Sequence, residues 1–357
     1  MLDCSVVSVP DLDSVLISSH DFFYPLIDDP YLMGAIGAAN VLSDLYAFGV
    51  IQPNSMLMTL ASSTQLNIDE RRIVSLELMR GFRDLARSAG CFVTGGQTVL
   101  NPWPIIGGIA SGIVHNSKRF YTTRAVPGDV LVLTKPLGTQ VIANAYEWLR
   151  TTQQALVDLQ TNDIQSVDLN QPISIDLIRC FGADYEKKCA LKWNSILENT
   201  DLSVNDVCQL LDESVFSMTR LNRNASELMI QLGAHACTDV TGFGILGHAE
   251  KLALTQENEV SFVIRCLPLL SKVEQIDRAS KDGEMFGLLK GRSAETSGGL
   301  LIALDPKVVD EFLARIMEID GCEAFVIGNV CALERNGKRG AVLLENPEII
   351  ESMNPAL

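Results

Sequence analysis

Short apolar runs of strand length alternate with longer helical patterns along this 357-residue chain, and this alternation limits the possible folds more than any other feature. Runs such as VLISS, IIGGIASGIV and DVLVLT have the composition of buried strands. Hydrophobic periodicity predicts helices over residues 30–48, 68–89, 139–150, 207–232, 243–254 and 307–318. The sequence therefore predicts an α/β or α+β fold.

The chain is long enough for two domains of ordinary size. Residues 115–129, HNSKRFYTTRAVPGD, are polar and turn-rich, and a new strand pattern begins after them. We therefore predict an N-terminal domain over residues 1–123 and a C-terminal domain over residues 124–357. Residues 151–204 are rich in Gln, Asn and Asp with weak periodicity, which predicts a helical or partly mobile surface insertion.

The charge balance narrows the classes of partner. The chain has 44 acidic and 28 basic side chains and a formal charge of −16, which disfavours binding to nucleic acid or anionic lipid. An anionic ligand would need a bound cation or backbone dipoles for neutralisation. No apolar run reaches the roughly 20 residues that span a bilayer, and the scattered cysteines show no disulfide or zinc pattern. These features predict a cytoplasmic protein with no membrane or nucleic-acid partner.

One acidic residue lies inside an apolar helical run. The first predicted helix starts at Asp29 and Pro30 and contains NVLSDLYAFGV, in which Asn40 precedes Asp44 by one turn. A buried carboxylate needs an ion pair, hydrogen bonds or a metal ion to compensate its charge. The alternative is an aspartate near the helix end that faces solvent, because Gly49 follows closely.

Three more acidic residues, Asp3, Asp21 and Asp239, are placed by the strand patterns at strand ends. Carboxylates that converge there suit a hard cation such as Mg²⁺. The alternative is that each one is a cap or turn residue. Asp239 precedes TGFGILG, where a flexible turn and a helix N-terminus favour metal-mediated phosphate binding over a dinucleotide fingerprint, because the carboxylate would repel a pyrophosphate.

A second glycine-rich stretch, VTGGQTV, is predicted to form a turn after a strand. Backbone N–H groups in it could approach a phosphate or a base, because glycine adds no side-chain bulk. The alternative is an ordinary turn between strands. The chain has no Walker pattern, and its four histidines are interpreted as surface or core residues.

Five stretches together resemble the selenophosphate synthetases (selenide, water dikinases): NVLSDLYAFGV, VTGGQTVLNPW, AVPGDVLVLTKPLGTQV, TDVTGFGILGHA and ETSGGLL. They occur in family order over nearly the whole chain. The resemblance implies the two-domain fold of the aminoimidazole ribonucleotide synthetase superfamily, in which the N-terminal domains of two subunits form a β-barrel across the homodimer. It also implies conversion of ATP, selenide and water to selenophosphate, AMP and orthophosphate, with Mg²⁺ and commonly K⁺.

The same resemblance implies roles for particular residues. Asp3, Asp44 and Asp239 match the family's metal ligands, and Asn40 matches a residue that supports the same metal. Asp21 matches a residue that contacts ATP. The nucleotide-binding turn, supplied across the dimer interface, corresponds to Gly95, Gly96, Gln97 and Thr98.

The chain departs from the family pattern at its start. Met1 stands where the family has the glycine of Gly-x-Asp, so the preceding segment with its catalytic Cys or selenocysteine and Lys has no counterpart here. We therefore expect little or no selenophosphate synthesis from this chain, with the Mg²⁺ and nucleotide ligands retained. The alternative is a non-catalytic paralogue that acts as a nucleotide-binding regulatory or interaction protein.

The same motifs also bear on other enzymes and on macromolecular partners. An ATP-dependent synthetase of purine biosynthesis is disfavoured, because GGQTVLNPW and ETSGG fit selenophosphate synthetases better. Selenium-delivery or selenocysteine-synthesis proteins are the macromolecular partners that this family would have besides a second subunit.

Overall fold

A computed structural model describes residues 4–159, 167–280, 284–333 and 337–352. Asp3 lies outside the described residues. Strands and helices within them form two separate sheets with helices packed against each. None of the described helices combines the length and the hydrophobicity that a membrane-spanning segment needs.

The first sheet contains five strands in the order β1-β2-β5-β3-β4. Every neighbouring pair is antiparallel except β3 and β4. The strands are β1 (Ser5–Val9), β2 (Ser14–Phe23), β3 (Ser55–Ser63), β4 (Val93–Asn101) and β5 (Ile105–His115). Because β1 and β4 form two open edges, the described part of the single chain does not close into a barrel. The predicted barrel across a dimer therefore stays a proposal.

Two helices, α1 (Pro30–Ala47) and α2 (Ile68–Ser88), accompany the first sheet and together with it form the first unit of the fold. Helix α1 packs on strands β2 and β5 and also on α2. The helices approach closely through glycines: a Cβ on Gly34 would lie 2.1 Å from the Leu78 carbonyl oxygen, and one on Gly81 would lie 1.8 Å from that of Tyr31. These two glycines therefore allow backbone contact between α1 and α2.

The second sheet contains six strands in the order β11-β8-β10-β6-β9-β7. Only β11 and β8 are parallel. The strands are β6 (Val130–Leu133), β7 (Ala236–Asp239), β8 (Val260–Leu270), β9 (Leu300–Leu304), β10 (Phe325–Ala332) and β11 (Gly340–Ser352). Since most pairs in both sheets are antiparallel, the α+β form of the prediction is confirmed.

Eight further helices accompany the second sheet in the described residues. They are α3 (Thr139–Leu159), α4 (Ile175–Arg179), α5 (Asp184–Asn199), α6 (Val204–Thr219), α7 (Arg223–Gln231), α8 (Gly244–Leu254), α9 (Val273–Ala279) and α10 (Pro306–Asp320). The single helix predicted over 207–232 is wrong, because the chain breaks between α6 and α7. At this break the Arg220 carbonyl and the Asn222 side chain bond to other segments instead of continuing a helix.

The predicted insertion, residues 151–204, is helical over much of its described part. Its Trp193 side chain is fully buried and donates from Nε1 to the Leu169 carbonyl at 3.0 Å. Helix α5, which carries Trp193, packs against α3. The stretch therefore contributes side chains to the core of the second unit.

Candidate functional site

Asp44 is buried in the middle of the molecule. Helix α1 starts where the Asp29 carboxylate accepts a hydrogen bond of 2.9 Å from the Leu32 amide, and Pro30 follows in the first turn. Most of its length is then covered by α2, by the first sheet and by α6 and α7 of the second unit. Asp44 is only 4% exposed, so the alternative of a solvent-facing aspartate is wrong.

Asn40 connects the two units through both ends of its amide. Its Nδ2 donates to Asp21 Oδ2 at 3.2 Å, and its Oδ1 accepts from the Ser297 amide at 2.9 Å. The Ser297 amide can only donate, which determines the orientation of the Asn40 side chain. Asn40 therefore holds the Asp21 carboxylate in a defined place relative to the second unit. Asp21 itself lies within β2, two residues before the observed strand end at Phe23, so the prediction that it follows the strand is wrong.

Asp239 is the last residue of β7 and is 1% exposed. Helix α1 packs against β7, so the elements that carry Asp44 and Asp239 are neighbours. Asn222 reinforces this contact, because its Nδ2 donates to Ser43 Oγ at 2.9 Å and to the Gly298 carbonyl at 2.8 Å. The fold thus makes neighbours of two elements whose buried aspartates lie 195 positions apart in the sequence.

Lys135 is a completely buried amine next to this region. Its Nζ donates to the Ser297 carbonyl at 2.8 Å and to the Arg220 carbonyl at 2.6 Å. Burial lowers the pKa of Lys135 well below its usual value; the Arg220 guanidinium lowers it further, whereas Asp320 and Asp239 act in the opposite direction. Through Ser297, Lys135 supports the same loop that orients Asn40.

Glu295 begins this loop and caps the N-terminus of helix α3, although it is far from that helix in the sequence. Its carboxylate accepts from the amides of Gly138 and Thr139 at 2.8 and 3.0 Å and from Thr139 Oγ1 at 2.6 Å. Burial raises the pKa of Glu295 to about 7, although these hydrogen bonds oppose the rise. ETSGG is therefore a structural junction between the start of α3, Asn40 of α1 and the end of β7.

We predict a pH-dependent stability that Glu295→Gln removes. Between the unfolded pKa near 4.5 and the folded pKa of about 7, the folded protein retains a proton that the unfolded chain has lost. Stability contributed by this group should therefore fall by about 3 kcal/mol as pH rises through that window. Denaturant titrations at several pH values from 4.5 to 8 give the free energy of unfolding at each pH. This free energy should depend less on pH in the variant than in the wild type, and an equal pH dependence in both would contradict the assignment.

The stretch Gly95, Gly96, Gln97 and Thr98 is not a turn, contrary to the prediction. All four residues lie inside β4 and pair in parallel with Leu57 to Leu60 of β3. A Cβ on Gly96 would lie 2.0 Å from the Met58 carbonyl oxygen, so the close strand pairing requires glycine there. These exposed residues occupy an open sheet edge, where backbone groups on one side have no strand neighbour within the described chain.

The metal prediction remains a prediction. Within the described residues, no group of three or more His, Cys, Asp and Glu side chains is arranged to hold a metal ion. Two buried carboxylates, Asp44 and Asp239, nevertheless provide the oxygen ligands that Mg²⁺ prefers, and Mg²⁺ commonly takes only one or two protein carboxylates beside substrate phosphates. The donor set on neighbouring elements therefore fits this ion.

Sequence reasoning missed Lys135 and Glu295 as parts of this region. Both occur in stretches, TKPLGTQ and ETSGG, that contribute to the family resemblance but do not by themselves indicate a role for these two residues. Their only local signal is an ionisable residue next to a glycine-containing turn, which is too common to identify a junction. The hydrogen bonds that define it join residues more than 150 positions apart.

Comparisons with known proteins place both units in one superfamily. The family model "AIR synthase related protein, N-terminal domain" matches residues 2–114, and the corresponding C-terminal domain model matches residues 193–338. Selenide, water dikinase 3 of Danio rerio is 42% identical over 364 residues, covering 98% of this chain and 71% of the relative. Selenide, water dikinase of Dictyostelium discoideum is 41% identical over 352 residues, covering 98% and 85%.

Solved structures show the same fold at low identity. Hydrogenase maturation protein HypE, in a crystal structure of its complex with ATP, superposes with a TM-score of 0.53 at 16% identity. The match covers 94% of this chain and 82% of that one. This likeness supports the two-domain α/β architecture.

Proposed function

Because this chain belongs to the selenide, water dikinase family, we propose that it catalyses the conversion of ATP, selenide and water to selenophosphate, AMP and orthophosphate. The observation that carries this proposal is identity near 40% over 98% of the chain with relatives named for that reaction. ATP is the nucleotide in the reaction, and a related fold is known in complex with ATP. The proposal makes the chain a phosphotransferase.

The proposed nucleotide site lies between the first sheet and the second unit. Asp44 and Asp239, with Asp3, would hold Mg²⁺, which neutralises phosphate charge and polarises the transferred phosphoryl group. Asp21 would contact ATP, because Asn40 fixes its carboxylate beside the Ser297 loop. The resemblance to the family also leads us to propose that the reaction uses K⁺ together with Mg²⁺.

The edge strand β4 would supply the rest of the site. Gly95, Gly96, Gln97 and Thr98 are exposed, and the two glycines add no side-chain bulk that would keep a nucleotide from their backbone groups. In the proposed dimer these four residues of β4 would face the nucleotide bound to the partner subunit. The active protein is then a homodimer, with each site completed from both chains.

An exposed apolar sheet face supports this homodimer. Side chains from all five strands of the first sheet lie on one face, and the strand registers align them across the sheet. They are Val7, Phe22, Leu57, Val99 and Ile113, exposed by 54, 55, 39, 50 and 48%. An apolar face of this kind is typical of a surface that associates with another protein. A second copy of the same sheet would cover it and pair its open edges.

The proposed setting is the cytoplasm, where selenium-delivery and selenocysteine-synthesis proteins would be the further partners. The acidic balance of the chain, with a formal charge of −16, disfavours a nucleic-acid partner.

Calorimetry and a product assay test the proposal. The chain should bind ATP in the presence of Mg²⁺, bind it far more weakly with EDTA, and release AMP from ATP only when selenide is present. Phosphorus-31 NMR distinguishes AMP and selenophosphate from ADP. Nucleotide binding without AMP release would contradict the proposed catalysis and favour the regulatory alternative. Absence of Mg²⁺-dependent ATP binding would contradict the proposed site.

A further inference from the structure

The turn TGFG, residues Thr241–Gly244, is held by a buried imidazole from the helix that follows it. His248 lies on α8 and is 2% exposed. Its Nε2 is 3.0 Å from the Thr241 amide nitrogen and 3.3 Å from that of Phe243. A backbone N–H can only donate, so Nε2 must accept both hydrogen bonds. The imidazole is therefore neutral and carries its proton on Nδ1.

These hydrogen bonds change what the turn can do for a phosphate. The amides of Thr241 and Phe243 point to His248, and the Gly244 amide donates to the Thr241 carbonyl at 3.1 Å. Three N–H groups of the turn are thus already used inside the protein. Direct binding of a phosphate by these three amides is therefore not supported by the geometry, and the metal-mediated phosphate binding expected from the sequence stays a prediction. In the proposed function the carboxylate of Asp239, just before the turn, would act through a bound cation.

The backbone after Asp239 is fixed residue by residue. The Val240 amide donates to the Gly299 carbonyl at 2.9 Å, and the Thr241 amide donates to His248. The Thr241 carbonyl accepts from the Glu295 amide at 3.0 Å. Two of these bonds join the turn to the ETSGG loop and the third joins it to α8, so the direction of Asp239 depends on both segments.

We propose that His248 is a positioning residue for Asp239, whose Nε2 anchors the turn that directs this carboxylate toward Mg·ATP. The inference rests on the proposed function, because only then does the direction of Asp239 affect nucleotide binding. His248 would not contact the nucleotide. It would act through the Thr241 and Phe243 amides.

Two conservative substitutions separate this role from general packing. In His248→Gln the side-chain oxygen can take the place of Nε2, whereas in His248→Asn the oxygen takes the place of Nδ1 and does not reach the turn. We expect the Gln variant to keep the Mg·ATP dissociation constant within about threefold and the Asn variant to raise it by about tenfold or more. Calorimetry at several Mg²⁺ concentrations should place the loss in the Mg²⁺-dependent part of binding.

Thermal unfolding of both variants provides the control. A purely structural role would lower the unfolding midpoint of the Asn variant while leaving the affinity of its folded fraction unchanged, and that result would overturn the proposal. Equal affinities for the two variants would overturn it as well.

The protonation state offers a test that needs no nucleotide. With only four histidines in the chain, a long-range ¹H–¹⁵N spectrum of histidine-labelled protein can be assigned by single substitutions. His248 should show a proton on Nδ1 and an unprotonated Nε2. A proton on Nε2 would disprove the anchoring. If the wild-type chain fails to bind Mg·ATP while this signature is present, the proposed function fails and the placement of His248 stands.

Discussion

Replacing Asp44 by asparagine is expected to weaken Mg²⁺-dependent ATP binding by about 100-fold or more, because the substitution removes a proposed metal ligand and loss of even a residue that only supports a metal ligand lowers affinity by about 10–100-fold. The substitution keeps the shape of the side chain and removes one buried negative charge. Since Asp44 is 4% exposed, the neutral amide also removes the cost of burying that charge. Folding should therefore be retained while binding is lost.

The matched control is Asp29→Asn on the same helix. Asparagine is an equally good N-cap, so the hydrogen bond to the Leu32 amide should be preserved. Calorimetry with Mg·ATP should give a dissociation constant close to that of the wild type for this control. Unchanged affinity in the Asp44 variant would remove Asp44 from the metal site, and a loss in both variants would point to the charge of α1 as a whole.

Gly81→Ala is expected to destabilise the protein by about 2–3 kcal/mol, although helix propensity alone favours alanine by about 1 kcal/mol. The new Cβ would lie 1.8 Å from the Tyr31 carbonyl oxygen, so α1 and α2 must separate. At this crossing the backbone of α2 contacts the backbone of α1 directly, so no flexible side chain can move aside. Because α1 carries Asn40 and Asp44, we also expect weaker nucleotide binding.

Denaturant unfolding measures this effect, and Gly182→Ala is its control. A Cβ on Gly182 would meet only the Glu186 carboxylate at 3.6 Å, which is an ordinary contact. Its stability should stay within about 0.5 kcal/mol of the wild type. An increase in stability for Gly81→Ala would show that propensity outweighs the steric clash and that the helices can separate freely.

Local signals were sufficient for the elements that contain their own start and stop residues. Helix α1 was predicted over 30–48 and spans Pro30–Ala47, because Asp29 and Pro30 mark its beginning. Residues 68–89 correspond equally well to α2, where Asn67 and Glu70 form a capping box. The break between α6 and α7 was missed, since a distant lysine and the ETSGG loop determine where Arg220 and Asn222 bond.

The glycine-rich stretch of β4 was misplaced for a related reason. Consecutive glycines favour turns when only neighbours along the chain are considered. Here Gly96 is required by the approach of another strand, whose Met58 carbonyl would collide with any side chain. Register between strands depends on contacts that local composition does not contain.

By itself the sequence determined that helices and strands of an α/β or α+β fold alternate along the chain, that it resembles selenophosphate synthetases, and that an aspartate lies within an apolar helix. Its residue types and short-range spacing contain that information, since caps, periodicity and motifs act over a few positions. Only the tertiary structure decided that Asn40 joins Asp21 to the Ser297 loop and that His248 accepts from the turn after Asp239. Hydrogen-bond geometry also decided the imidazole tautomer and the amide orientation, because both depend on which donors the completed fold brings within about 3 Å.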